Sequence, residues 1–149
     1  MTIHRRGSRR KNRTRGQALV EFALVVPVFL LVLCGILDFG FMLYSRMTVI
    51  NASREGARIS ITAANRTTIP SLASGAVLNN VTALNSALIT TSTSCVAIKT
   101  SGSCNWSSTT SSQAGDAVSV TVTYTYQTFF PLFFGSSIPM SSTVQMVLE

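Results

Sequence analysis

The sequence predicts an α+β protein: a long N-terminal helix that crosses a membrane, continues outside it, and packs on a small antiparallel β-sheet. Three observations carry this expectation. Residues 22–37, FALVVPVFLLVLCGIL, contain no charged side chain. Helical spacing of apolar residues then persists to about Ala64. Far downstream, Val118, Val120, Val122, Tyr124 and Tyr126 alternate with Ser119, Thr121, Thr123 and Thr125, the period-two pattern of a half-buried strand.

The first element follows from charge. The formal net charge is +7, and Arg5, Arg6, Arg9, Arg10, Lys11, Arg13 and Arg15 all precede position 16. The basic residues after Gln17 are matched in number by acids, so the body is neutral. It lacks the broad basic surface of a nucleic-acid-binding domain, and no nucleic-acid partner is expected. A basic tail leading straight into an apolar run reads as the cytoplasmic flank of a membrane span. The hydrocarbon core is about 30 Å thick and takes roughly 20 helical residues. The uncharged run supplies only about 24 Å. Glu21 and Asp38, which interrupt an apolar stretch over 18–44, should therefore sit near the two edges of the core. Residues 1–16 are expected in the cytoplasm and everything past about Tyr44 outside, with Phe39, Phe41 and Tyr44 as the outer aromatic belt.

Beyond the span, Met47, Ile50, Ala57, Ile61 and Ala64 keep helical spacing. One helix from Gln17 to Ala64, roughly 70 Å long, is expected, kinked at Pro27. Its outer half must rest on something, and the sheet is the natural partner. Asn65–Pro70 reads as a loop and 71–89 as a second helix. Thr90–Gly115 reads as loop with a short alternation around Cys95–Lys99. Ala117–Gln127 is the clearest strand, and Thr143–Leu148 a second one after the connector TFFPLFFGSSIP. The expected organisation is a basic leader at 1–16, the membrane helix and its extension at 17–64, and an exported α+β domain at 65–149. Phe129, Phe130, Phe133 and Phe134 flank Pro131. They are either core of the small domain or an exposed apolar loop touching the outer leaflet or a neighbouring subunit.

At the junction Arg15-Gly16-Gln17-Ala18-Leu19-Val20-Glu21-Phe22 a glycine separates the tail from the apolar run. A secretory signal is cut after its apolar stretch, at small residues; here the glycine lies before it. The arrangement resembles the processing site of type IV prepilins, which a membrane-embedded prepilin peptidase cuts after Gly on the cytoplasmic side. That resemblance implies cleavage between Gly16 and Gln17, with Glu21 as the fifth residue of the mature chain and a participant in subunit assembly.

The segment GQALVEFALVVPVFLLVLCGILDFG, followed by YSRMTVINASREGAR, is similar to the TadE-like family of the tight-adherence pilus system. The resemblance is carried by Gly16, Glu21, Phe22 and Pro27, by Asp38, Phe39 and Gly40, and by Asn51, Arg54, Glu55, Gly56, Ala57 and Arg58. It implies a bacterial membrane protein, single-pass, that works as a minor pilin or assembly factor. The implied partners are the prepilin peptidase, other pilus subunits with their assembly machinery, and the membrane itself.

Asn51, Glu55 and Arg58 lie within one to two turns, where they can bond one another or form an ordinary solvated face. Gly56 costs about 1 kcal/mol in a helix relative to Ala. Close approach of the sheet or of another helix would explain it. Cys34 lies in the span, whereas Cys95 and Cys104 lie in the exported part, where a disulfide is expected. No metal site is expected, since two Cys and His4 on the opposite side cannot complete four ligands. No catalytic constellation, cofactor motif or small-molecule substrate site is visible. The expectation is a non-enzymatic pilus component. The alternative is a permanently anchored surface domain that binds an external ligand.

Overall fold

The computed structural model describes residues 13–98, 104, 115–131 and 135–148. Most of the basic leader, Phe133 and Phe134 lie outside the described residues. The fold is α+β. Helix α1 runs Arg13–Ile61 and α2 runs Ile69–Asn80, and strands β1 (Ile89–Val96), β2 (Ala117–Gln127) and β3 (Ser137–Val147) follow. The chain forms two compact units, Met1–Leu37 and Asp38–Glu149, and α1 belongs to both.

The first unit is the apolar part of α1. Helix continues through Pro27. Among the described residues α1 is the one helix long and apolar enough to cross a membrane. Its most apolar window has a mean hydropathy of 2.7 and buries nothing. An outward-facing Phe22, Leu24, Phe29, Leu30 and Val32 is what lipid, and not water, would solvate. This helix fits a membrane-anchored protein.

The second unit is a three-stranded antiparallel meander in the order β1-β2-β3, covered on one face by helices. Register pairs Val118 with Met146, Val120 with Val144 and Tyr124 with Met140. On the other side of β2, Thr93 pairs with Val120 and Cys95 with Val118. Val118, Val120, Val122, Tyr124 and Tyr126 are all buried in the core with Val49, Ala52 and Ala57 of α1 and Ile69, Ala73 and Val77 of α2. The opposite face of the sheet is polar, as where the Thr121 and Thr143 hydroxyls bond at 2.9 Å. At the sheet's end the Leu148 N–H donates to the Asp116 carbonyl at 2.7 Å. The buried Asp116 carboxylate accepts from the Ile98 N–H at 3.1 Å.

The stripe of α1 facing the core follows the apolar positions read in the sequence only in part: Ala57 is in the core and Ile61 packs against it, but most of the stripe is small or polar. Asp38, Ser45, Val49, Ala52, Ser53, Gly56, Ala57 and Ser60 are buried, whereas Met47 is exposed. Small side chains let helix and sheet approach closely. The buried hydroxyls close onto carbonyls of their own helix: Ser45 to Phe41 at 2.9 Å and Ser60 to Gly56 at 2.6 Å. Ser53 also meets Ser142 of β3 at 2.8 Å.

Four boundaries also differ. Asn65–Pro70 is not simply loop: Asn65 caps a 3-10 turn at Arg66–Thr68, and α2 starts at Ile69. Pro70 is tolerated because the first turn has no hydrogen bond to lose. The second helix ends at Asn80, not 89. Asn80 donates to the Ala76 carbonyl at 3.0 Å, and Asn85 caps a further 3-10 turn at Ser86–Leu88. Residues 89–96, read mostly as loop, form β1, whose inward positions beyond Ile89 are Thr91, Thr93 and Cys95. β-Branched Thr suits a strand but gives no apolar signal. β3 begins at Ser137, earlier than expected, and its Pro139 is accommodated because β3 is an edge strand.

Candidate functional site

The sequence-derived candidates fall at four places, which the fold does not gather into one pocket. Gly16, Gln17 and Glu21 lie exposed in the first turns of α1. A Cβ built on Gly16 would meet nothing within 4 Å. The Glu21 side chain, exposed on an apolar helix, has no hydrogen-bond partner among the described residues.

Asp38 is buried, only 3% exposed, and the connector after β2 closes over it. The Tyr126 hydroxyl donates to its Oδ1 at 2.6 Å and lies 3.3 Å from its carbonyl oxygen. The Phe129 N–H points at Oδ1 and the Phe130 N–H at Oδ2, each at 3.4 Å. The carboxylate thus replaces water with one strong donor and two long ones. Burial, with this carboxylate beside it, holds the Tyr126 phenol well above its ordinary value. Phe129 also meets the Phe41 ring with centroids 5.8 Å apart and planes tilted by 51°, a favourable offset geometry.

Further along α1, Arg58 grips Glu55 with two bonds, Nε to Oε2 at 2.9 Å and Nη2 to Oε1 at 2.8 Å. These bonds hold the Glu55 carboxyl below its usual range and raise Arg58 further. Asn51 and Arg54 are exposed on the same stretch. Gly56 faces inward. A Cβ there would lie 3.0 Å from Val77 Cγ2, 3.4 Å from the Ala73 carbonyl oxygen and 3.4 Å from Val120 Cγ1. It sits where α1, α2 and β2 come closest.

The fourth place is the edge of the sheet, where the Cys95 and Cys104 sulfurs meet with Cα atoms 5.4 Å apart, a separation a disulfide spans without backbone movement. Cys34 is a free thiol. Among the described residues no group of three or more His, Cys, Asp or Glu could hold a metal.

Three of the four places lie on α1, and that helix also carries the family likeness. Residues 16–58 match the model of the TadE-like protein family. No curated protein and no solved structure matches the chain. The match begins at Gly16, takes in Glu21 and Asp38, and ends at Arg58. Over this stretch, less than a third of the chain, the protein is similar to TadE-like proteins. The matched span includes the membrane-type helix, the Asp38 carboxylate and the Glu55–Arg58 pair. The partner of Asp38 in the sheet, Tyr126, lies outside it. Sequence reasoning missed Tyr126 as a partner of Asp38. The only signal was its place in a buried alternation.

Proposed function

We propose that this chain is a non-enzymatic minor pilin or assembly factor of a tight-adherence pilus, cut by a prepilin peptidase between Gly16 and Gln17. The observation that carries the reading is that the TadE-like match starts at Gly16, the residue separating the basic leader from the apolar helix. Two features support it. Glycine in a helix costs about 1 kcal/mol, and none of the described residues crowds Gly16. A peptidase subsite without room for a side chain would explain the choice. Glu21, exposed and without a partner among the described residues of a lipid-facing helix, would find one in another subunit, because a carboxylate in hydrocarbon is tolerated chiefly when paired.

The leader sits in the cytoplasm in this reading, and residues beyond the span are outside. Seven basic residues hold the uncut chain to the anionic inner leaflet at about 1 kcal/mol each near the surface. Cutting removes them and leaves one amine on Gln17, free to meet the Glu21 of another subunit. The test is the N-terminal sequence of the protein recovered from pilus-forming cells, which should begin at Gln17. A chain beginning at Met1 or Thr2 would overturn the processing step and leave a permanently anchored surface domain.

A further inference from the structure

The connector between β2 and β3 is held at its base by hydrogen bonds and shows the Phe129 and Phe130 rings to the outside. Thr128 donates its N–H to the Ser136 carbonyl at 3.3 Å and its hydroxyl to the Gly135 carbonyl. Gly135, at φ +75°, returns its N–H to the Pro131 carbonyl at 3.2 Å. From the helix side, Asp38 accepts from the N–H groups of Phe129 and Phe130. Yet Phe129 is 68% exposed and Phe130 43%. Fully burying such a ring stabilises by roughly 1.5–3 kcal/mol, which this domain alone forgoes. The first alternative from the sequence, that these two phenylalanines are core, is therefore excluded for Phe129 and Phe130.

Position along α1 identifies what covers them. Ala18–Leu37 fill about 30 Å of helix, the thickness of the hydrocarbon core. Phe41, which touches Phe129, comes one turn later, about 6 Å beyond Leu37. That depth is the headgroup layer, where aromatic rings concentrate. Exposed Tyr44, three residues on from Phe41, continues the same side of the helix. Arg46, the first cation after Asp38, can lean its long stem back toward lipid phosphates, since helical side chains tilt toward the N-terminus.

We propose that Phe129 and Phe130, joined to Phe41, insert into the outer-leaflet interface as a second membrane contact, and that Asp38 is the positioning residue that clamps them there. The occupant is the phospholipid interface itself. The inference rests on α1 crossing the bilayer.

The full chain, carrying Trp106→Phe so that a single reporter remains, is reconstituted into phosphatidylcholine–phosphatidylglycerol vesicles as Phe129→Trp or, separately, Phe130→Trp. With the ring about 5–10 Å below the surface, as interfacial apolar groups sit, its emission should shift to the blue, and acyl-chain bromines near the headgroup should quench it about two-fold or more. Bromines near the chain ends should quench it less. A Gln145→Trp reporter, on the polar face near the other end of β3, should stay unquenched. Full water-exposed emission at 129 and 130 in bilayer-inserted protein would overturn the proposal while leaving the pilus reading intact. A blue shift that vanishes on diluting protein in lipid, without quenching, would show a second copy as the occupant. Failure of the chain to insert at all would overturn both readings.

Discussion

The Tyr126 hydroxyl donates a 2.6 Å hydrogen bond to the carboxylate of Asp38, tying the end of β2 to α1 one residue past the helix's uncharged run. A charge so placed is costly to desolvate, and a single strong donor with two long N–H contacts is what offsets that cost. Removing the hydroxyl in Tyr126→Phe should therefore destabilise the Asp38–Glu149 unit by about 1.5–3 kcal/mol, the range for hydrogen bonds to charged groups. Asp38→Asn, which keeps an acceptor, should lose less. Chemical unfolding of detergent-solubilised protein, followed by its β-sheet circular dichroism, measures both. Equal stability of Tyr126→Phe and the parent would remove the bond's role.

The same bond sets a pH dependence. Burial and the Asp38 carboxylate raise the Tyr126 phenol, and burial raises Tyr124. The unfolded chain releases these protons near pH 10 (approximately the ordinary tyrosine value), whereas the folded chain retains them to higher pH. Stability is thus fully present below about pH 10 and falls as pH rises past it. Tyr126→Phe should start lower and decline less steeply. Thermal midpoints taken across that alkaline range decide the matter, and parallel curves for the two proteins would contradict the assignment.

Gly56 is governed by two opposed terms. Alanine would gain about 1 kcal/mol of helix propensity, but its Cβ would press at 3.0 Å on Val77 Cγ2, a side chain fully buried and unable to swing aside. Overpacking of this kind costs typically 1–3 kcal/mol. Gly56→Ala should emerge mildly destabilised, by about 1 kcal/mol net, and Gly56→Leu far more so. A stabilised alanine variant in the same unfolding assay would mean that α2 can recede.

The long helix, strand β2 and the α+β class were legible because each imposes a strong periodicity. The contact stripe of α1 was legible only at Ala57 and Ile61. It consists largely of Ser45, Ser53, Gly56 and Ser60, residues selected for closeness, whose hydroxyls hide in helix carbonyls; an apolar count instead favours Met47, which lies in the open. β1 escaped for a related reason, since its inward threonines look like loop. The Asp38 clamp escaped because no local pattern joins residues 88 apart in sequence. Glu55 and Arg58 were readable from their spacing alone, because one helix supplies the whole geometry.

Cys95 and Cys104 should be disulfide-bonded in protein recovered from cells. Cys95 lies on β1, an edge strand, so the bond would fasten that edge and not the core. Closing so short a loop stabilises by at most about 3 kcal/mol in the chain-entropy model. The Cys95→Ser/Cys104→Ser double variant should fold with a lower thermal midpoint. Alkylation of unreduced protein in denaturant should label Cys34 alone; labelling of three thiols would refute the bond.

Glu21 should act in assembly and not in cleavage. Its carboxylate lies one turn beyond the proposed scissile bond, exposed on α1, and no group of its own chain answers it among the described residues. A peptidase needs the glycine and the junction itself, so Gly16→Leu should accumulate as a longer, membrane-retained chain. Glu21→Ala should still be cut, because the bond and the leader are untouched. What it lacks is the charge that would pair with the Gln17 amine of a neighbouring subunit once both helices lie in an apolar bundle. An unmatched amine there costs several kcal/mol, enough to keep the mature subunit out of the assembly. Glu21→Gln, isosteric but neutral, should fail in the same way if charge is what matters. Mature-length protein in the membrane fraction and little or none in sheared pili is the expected result for both. Normal incorporation of Glu21→Ala would remove the pairing role while leaving the Gly16–Gln17 cut standing. Uncut Glu21→Ala would instead place the carboxylate in peptidase recognition.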